Sequence, residues 1–419
     1  MEVLMQTISL DVYGTLVCMV GVLLLGRYII SKVKFLRDYD IPEPVVGGVL
    51  VAFGIMVAHH FYNFKLVLDS SLKEPLMLTF FITIGLSADF ASLKKGGKML
   101  GIFLVAVAMF VVLQNMVGIG IARLIGVDPL MGLLGGSISL VGGHGTSAAW
   151  SEVLSKAPFN FSQSLEVSIV CATFGLVSGG IIGGPVAHYL IKKHRLEPSV
   201  QERKERTEGP MMAFETPKQE RLITANSFVQ SLALVSIALL LGTFIAKHTK
   251  ALTLGSMTLP TLPTFVWCLF VGVLLRNLLS YSKIHNVFDR EVSVIGNVSL
   301  SLFLAFALMS INLMELVNLA LPMAAILTCQ VVLMILYSIF VTFRMCGKNY
   351  DAAVLSAGHC GFGLGATPTA MVNMQTVTNH YGASHMAFIV VPLVGAFFVD
   401  IINALAIQGS LSMILQLFH

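Results

Sequence analysis

Charged residues are missing from long stretches of this chain, and their absence decides its solvent. No Asp, Glu, Lys or Arg occurs in 12–26, 44–64, 75–88, 99–122 or 167–191. The same holds for 222–246, 251–275, 292–314, 316–343, 352–399 and 401–419. A helix crosses the hydrocarbon with about 20 mostly apolar residues, and about 15 suffice when flanking residues reach back to the interface. These runs predict ten spans, five before a polar segment at 196–220 and five after it. The run 352–399 is too long for one helix and its first part is broken by glycine and proline. It divides into an irregular piece and a span at about 385–410. A charge-free, glycine-rich piece at 129–151 precedes the fifth span in the same way.

Composition points the same way. Of 419 residues, 56% are hydrophobic and 11% charged, with a mean hydropathy of +0.85. A soluble domain carries roughly a quarter charged residues, and globular cores of this length cannot hide so much apolar surface. A water-soluble enzyme, a disordered chain and a nucleic-acid binder are excluded on these grounds. The first partner is the lipid bilayer. The six cysteines (Cys18, Cys171, Cys268, Cys329, Cys346, Cys360) form no CxxC pair and read as small core residues. The 21 methionines read as apolar filling. The N-terminus lacks the basic region and cleavage site of a signal peptide, so the first run is expected to be a retained span.

The basic residues set the orientation, because Lys and Arg accumulate on the cytoplasmic side. With the N-terminus outside, the inner segments hold Arg27, Lys32, Lys34 and Arg37, then Lys94, Lys95 and Lys98. They also hold Lys192, Lys193, Arg195, Arg203, Lys204, Arg206, Lys218 and Arg221, and after these Arg276, Lys283, Arg290, Arg344 and Lys348. That places 20 of the 26 basic residues inside and leaves six outside: Lys65, Lys73, Arg123, Lys156, Lys247 and Lys250. Both termini are expected outside and the mixed-charge, proline-containing linker 196–220 inside.

A displacement of 221 residues aligns landmarks of the two halves: Gly21 with Gly242, Pro42 with Pro263, Arg123 with Arg344, Gly142 with Gly363 and Thr146 with Thr367. Span, loop and glycine-rich break recur in the same order. Five spans per half is an odd number, so the second half enters from the opposite side. The expected fold is an all-α polytopic membrane protein, an inverted repeat of two five-helix halves, 1–195 and 221–419, joined by the linker. Inverted repeats of this kind suit alternating-access transporters.

The two breaks, SISLVGGHGTSAAW (137–150) and LSAGHCGFGLGATPTA (355–370), fall at membrane depth. Glycine lets the backbone turn and approach a ligand closely, and Pro368 suits the first turn of a helix. Non-helical backbone cannot face lipid, so it is buried in protein or lines a wet cavity. Two re-entrant hairpins follow, at about 128–150 and 351–374, one from each side, with tips meeting near the midplane. Helix N-termini there favour anions, and loop carbonyls and hydroxyls favour a small cation. The glycines of GGIIGG (179–184) have no counterpart and are assigned to helix packing.

Asp400 is the only charged residue after Asp351. An isolated carboxylate in a span usually marks an ion or proton path, with a structural hydrogen-bonded pair as the alternative. Asn403 lies one turn on and can share its face. Asn297 and Ser301 form a similar polar stripe. His144 and His359 sit in the breaks, where a lone histidine is more often a structural group, although His144 at a tip is within reach of substrate. Glu43, between Pro42 and Pro44, is expected to start a helix at an interface.

At these residues the chain resembles the bacterial sodium/glutamate symporters. The resemblance rests on IPEPVVGG (41–48), DPLMGLLGGS (128–137), GGHGTSAAW (142–150), CATFGL (171–176), GKNYDAAVLSAGHCGFGLGATPTA (347–370) and VVPLVGAFFVDIINAL (390–405). It covers nearly the whole chain apart from the linker and the extreme ends, with no departure within these motifs. It implies Na+-driven uptake of L-glutamate across a bacterial inner membrane, with periplasmic termini, a homodimer, and an elevator-like motion of a transport unit against a scaffold. On that footing Na+ is the coupling ion, no organic cofactor is expected and the protein is not an enzyme. Substrate is expected at Gly143, His144, Gly145, Thr146 and Ser147 and at Ala366, Thr367, Pro368 and Thr369. Na+ is expected at Gly142, Thr146, Gly361, Gly363, Gly365, Thr367, Asp400 and Asn403. A symporter of citrate or another carboxylate shares every feature read from the residues themselves, and a channel is separated from a carrier only by gradient-dependent uptake. An intramembrane enzyme finds no support, since no catalytic spacing accompanies either histidine.

Overall fold

The structure, a computed structural model, describes residues 6–39, 41–62, 64–90, 93–198, 222–249, 262–311 and 319–418, with strands at 253–254 and 257–258. From residue 199 to its end the expected linker lies outside the described residues, and with it Arg203, Lys204, Arg206, Lys218 and Arg221. Lys250 also lies outside them.

The chain is overwhelmingly helical. The first part holds α1 (Val12–Lys32), α2 (Lys34–Asp38), α3 (Glu43–Tyr62), α4 (Lys73–Ser87), α5 (Leu93–Leu124), α6 (Pro129–Leu133), α7 (Gly143–Leu154) and α8 (Ser164–His194). After the linker come α9 (Ala225–Thr249), α10 (Thr264–Ser282), α11 (Asp289–Met309) and α12 (Ala320–Tyr337). The last part holds α13 (Tyr350–Leu364), α14 (Thr367–Tyr381), α15 (His385–Leu393) and α16 (Val399–Phe418). Among the described residues eight helices are long and apolar enough to cross a membrane: α1, α5 from Gly97, α8, α9, α10, α11, α12 with its continuation to Met345, and α16. Short strands are an addition the charge pattern did not announce. Gln6–Ser9 pairs in parallel with Phe64–Val67, and Thr253–Leu254 pairs antiparallel with Met257–Thr258.

Local chemistry explains where the helices start. Asp11 caps α1, accepting from the Gly14 N–H at 2.8 Å, and Asp128 caps α6 by accepting from Leu130 N–H at 2.8 Å, ahead of Pro129. Asn349 caps α13 in the same way, at 2.9 Å from Ala352 N. Such caps satisfy backbone donors that the first turn leaves open. Glu43 does start α3, and its carboxylate grips Arg27 of α1 at 2.8 and 3.2 Å.

The helices pack into two groups, and each draws on both sides of the linker. One contains α1, α3, α4, α9, α10 and α11, with α4 set between α10 and α11. The other contains α5 to α8 and α12 to α16, with α13 packed on α8 and α14. The groups meet where α7 touches α11, where α4 touches the turn at Val394–Phe398, and where α10 touches α16. Arg276 at the end of α10 is buried inside the first group, held by Asp289 and lying 3.7 Å from Asp89. At the opposite end of the interface Lys73 of α4 lies 3.4 Å from Glu152 of α7, an ion pair that ties one group to the other.

Candidate functional site

The first break begins where α6 widens into a π-helical turn at Leu134–Ile138, inside which Gly136 leaves helical dihedrals (φ −101°, ψ −139°). A break frees backbone groups, and inside a bilayer the protein itself must satisfy them. The Ser137 N–H donates to Asn115 Oδ1 at 2.9 Å. The Ser137 carbonyl accepts from Asn403 Nδ2 and from the Gly142 N–H, both at 3.0 Å. The chain then turns at Gly143, whose φ of 63° is a left-handed conformation that a side chain would strain, and α7 starts there.

The second break is shorter. α13 ends at Leu364, Gly365 leaves helical dihedrals (φ −138°, ψ −100°), Ala366 is extended, and α14 starts on Thr367 with Pro368 in its first turn. Its two legs touch backbone to backbone. A β-carbon on Gly361 would stand 2.4 Å from the Ala370 Cα, and one on Gly175 of α8 would stand 2.1 Å from the Leu364 carbonyl. Thr367 Oγ1 donates to the Gly395 carbonyl at 2.6 Å, in the π-helical turn that joins α15 to α16.

The two breaks meet. A β-carbon built on Gly143 would lie 3.8 Å from the Gly365 carbonyl oxygen, so α7 and α14 both begin at one gap. Each helix N-terminus carries a partial positive charge and unpaired N–H groups, which together favour an anion. Beside the gap, Thr146 and Asp400 line one void of about 10 Å³ with Trp150 and Ala404. Its far wall, Phe81, Phe265, Val266 and Leu269, belongs to the first helix group. Among the described residues the Asp400 carboxylate has no hydrogen-bond or ion-pair partner. A carboxylate against an apolar wall is unfavourable until a cation joins it. The site therefore offers helix N-termini for an anion and a lone carboxylate with a hydroxyl for a cation.

Other residues expected at the site are placed differently. Ser147 points toward α8 and joins a buried hydroxyl ladder: it donates to Ser139 Oγ at 3.0 Å, and Ser151 meets Ser168 at 2.8 Å. His144 Nε2 pairs with Thr173 Oγ1 of α8 at 3.0 Å. Gly145 packs under Phe80 and Leu300, Thr369 is buried and Pro368 is exposed at the gap. The Gly363 carbonyl accepts from Gln114. His359 is walled in by Phe103, Phe110, Tyr337 and Phe362, with Nδ1 2.9 Å from Thr342 Oγ1. Of the stripe of Asn297 and Ser301, Asn297 is exposed and donates to Ser293 of its own helix, and Ser301 is half-buried. Gly179 and Gly183 lie close against α13 and Asn373 of α14, as packing glycines do. The residues that a search for charge overlooks are Gln114, Asn115 and Gln330, three amides buried in otherwise apolar spans. An amide in mid-span was the signal available for them.

The sequence profile of the sodium/glutamate symporters matches residues 8–383. The chain belongs to the sodium/glutamate symporter family. A sodium/glutamate symporter of Escherichia coli (strain K12) is 54% identical over 399 residues, which span 95% of this chain and 97% of that one. The sodium/glutamate symporter of Shigella flexneri matches to the same extent. One of Haemophilus influenzae is 46% identical over 406 residues, 97% of this chain and 98% of its own. Sodium/glutamate symporters are transporters rather than enzymes.

Proposed function

We propose that this chain imports L-glutamate across a bacterial inner membrane, driven by Na+. The observation that carries the reading is the meeting of the α7 and α14 N-termini beside the Asp400 and Thr146 void. L-glutamate lies at the gap with its carboxylates toward Gly143 to Thr146 and Ala366 to Thr369. Na+ binds at Asp400 and Thr146, completed by carbonyls of the breaks such as those of Gly142 and Gly365. Each ligand builds part of the other's site, so each raises the other's affinity. Labelled glutamate taken up into proteoliposomes under an inward Na+ gradient, with citrate and aspartate as competitors, tests this directly. Uptake that ignores Na+ and follows a proton gradient refutes the coupling ion, and stronger competition by citrate refutes the substrate.

The architecture in this reading is a ten-span inverted repeat with both termini periplasmic and the linker cytoplasmic. α3 and α4 supply the two spans beyond the eight long helices. Support comes from element bounds. At the displacement that takes Gly21 to Gly242, α3 falls on α10 and α4 on α11, and the start of α8 falls on the start of α15. The protein acts as a homodimer in the bilayer, where the exposed apolar faces of α1 and α9 offer surface for lipid and for a second copy. Transport follows an elevator motion in which the second helix group, carrying both breaks, slides against the first. The smooth aromatic wall of Phe80, Phe81 and Phe265 suits such sliding.

The Lys73 and Glu152 pair then holds one end point of the motion. Cross-linking Lys73→Cys to Glu152→Cys with a bis-methanethiosulfonate, which joins each thiol by a disulfide and releases sulfinate, in a background lacking the partly exposed Cys18 and Cys329, is expected to arrest uptake by about tenfold or more, and reduction of those disulfides to restore it. Full activity of the cross-linked protein contradicts the sliding motion.

A further inference from the structure

Gln114 and Asn115 follow one another on α5, and both are fully buried. Consecutive residues on a helix point about 100° apart, and here each reaches a different break. Asn115 Oδ1 accepts from the Ser137 N–H of the first break at 2.9 Å, and its Nδ2 donates to Ser410 Oγ of α16 at 3.3 Å. Gln114 Nε2 donates to the Gly363 carbonyl at 3.2 Å, in the last turn of α13 just before the second break. Carbonyls in a last helical turn have no partner within their own helix. Gln330 of α12 completes the arrangement by donating from Nε2 to the Gln114 carbonyl at 2.9 Å.

These contacts fix which way the amides point. An amide that faces a carbonyl must present its nitrogen, so the oxygens of Gln114 and Gln330 are turned away, and neither finds a partner among the described residues. Apolar residues would pack the same space without leaving such oxygens, so packing alone does not account for them. The backbone of α5 is also locked at this level. A β-carbon on Gly118 would come within 2.2 Å of the Gly132 carbonyl, and one on Gly132 within 2.1 Å of the Gly118 carbonyl. α5 therefore cannot shift along α6 without a clash.

We propose that Gln114 and Asn115 are positioning residues for transport. Each straps one broken helix to α5 through a backbone group that the break leaves open. One rigid helix thereby sets the spacing between the α7 and α14 N-termini. The proposal rests on the reading of the two breaks as the binding site.

The test uses Gln114→Met and Asn115→Leu, which keep approximate shape and lose the polar contact, in full-length protein reconstituted into proteoliposomes. Half-saturation for glutamate and for Na+ is measured with maximal uptake per amount of protein. Hydrogen exchange is followed by mass spectrometry in peptides spanning 134–143 and 361–368. Each variant is expected to raise both half-saturation constants about fivefold or more, with a smaller change in the maximal rate. Exchange should rise at 134–143 for the Asn115 variant and at 361–368 for the Gln114 variant. The double variant should fall short of the product of the singles, because both disturb one spacing. Wild-type half-saturation constants in both single variants overturn the proposal. If Gln114→Met does not fold, Gln114→Asn, which keeps the amide but shortens its reach, is read by the same two outcomes. Thr367→Val, assayed alongside, separates the failures. Raised constants there with unchanged constants in the strap variants overturn the straps alone, and unchanged constants in all three overturn the site as well.

Discussion

Asp400→Asn is expected to remove Na+ stimulation of glutamate uptake, lowering the ratio of rates with and without an Na+ gradient by about tenfold or more. The substitution keeps the size of the side chain and deletes its charge. That charge stands alone in its span, lines a void with Thr146 and faces an apolar wall from the other helix group. At about 4 Å and an effective dielectric constant near 20, a carboxylate attracts a monovalent cation by about 4 kcal/mol. A tenfold loss of affinity requires only about 1.4 kcal/mol, so the expected effect is a conservative one. Asp400→Glu should fall between the two, because its extra methylene enters a void with room for about one water. Uptake in proteoliposomes at fixed glutamate over a range of NaCl reads both variants. Unchanged Na+ activation in Asp400→Asn would return this residue to a purely structural role.

Gly361→Ala is expected to be more damaging than its single added methyl suggests. The new β-carbon would lie 2.4 Å from the Ala370 Cα and 2.5 Å from the Ala370 N. Both obstacles are backbone, so no rotamer change relieves the overlap. The legs α13 and α14 must spread, and the N-terminus of α14 moves with them. Overpacking of a tight core costs about 1–3 kcal/mol, and more where nothing can yield. Uptake should fall about a hundredfold, with a lower unfolding temperature in detergent. Gly184 on α8, where a β-carbon meets nothing within 4 Å among the described residues, provides the control: Gly184→Ala should leave transport near wild type. Comparable losses in the two variants would show that lost glycine flexibility, not contact between the legs, is responsible.

Much of the helix plan was legible because lipid tolerates so few charges. The charge-free runs 44–64, 99–122 and 167–191 became α3 (Glu43–Tyr62), the apolar part of α5 (Gly97–Leu124) and α8 (Ser164–His194). The reading slipped at 251–275, where the helix runs from Thr264 to Ser282. Two effects moved it. Pro263 stands at the cap and delays the start, and Arg276 sits inside the helix because Asp89 and Asp289 accompany it. A count of charges sees neither. Both glycine-rich stretches hold an interruption, at Gly136 and at Gly365, but the four glycines of 179–184 sit inside the unbroken α8, so glycine content alone does not mark a break. Nor did the glycines say which side chains face the gap. Ser147 turns to α8 because Ser151, four residues on, and Ser164 with Ser168 repeat its spacing and form one hydroxyl seam. The split into two helix groups was not legible at all. Which helices pair depends on close approaches such as Gly85 against Gly272, and hydropathy carries no record of partners.

That split has a consequence for biogenesis. While the first part of the chain leaves the ribosome, α5 to α8 enter the bilayer before most of the surfaces that cover them exist. Phe103 and Phe110 on α5 meet His359 and Tyr337 only after more than two hundred further residues have been made. The partly synthesised protein must keep breaks, amides and hydroxyls protected in lipid during that interval. Contacts so distant along the chain form late and slowly. By order of synthesis, α14 and the Asp400 of α16 reach α7 only at the end, so the proposed transport site is assembled last.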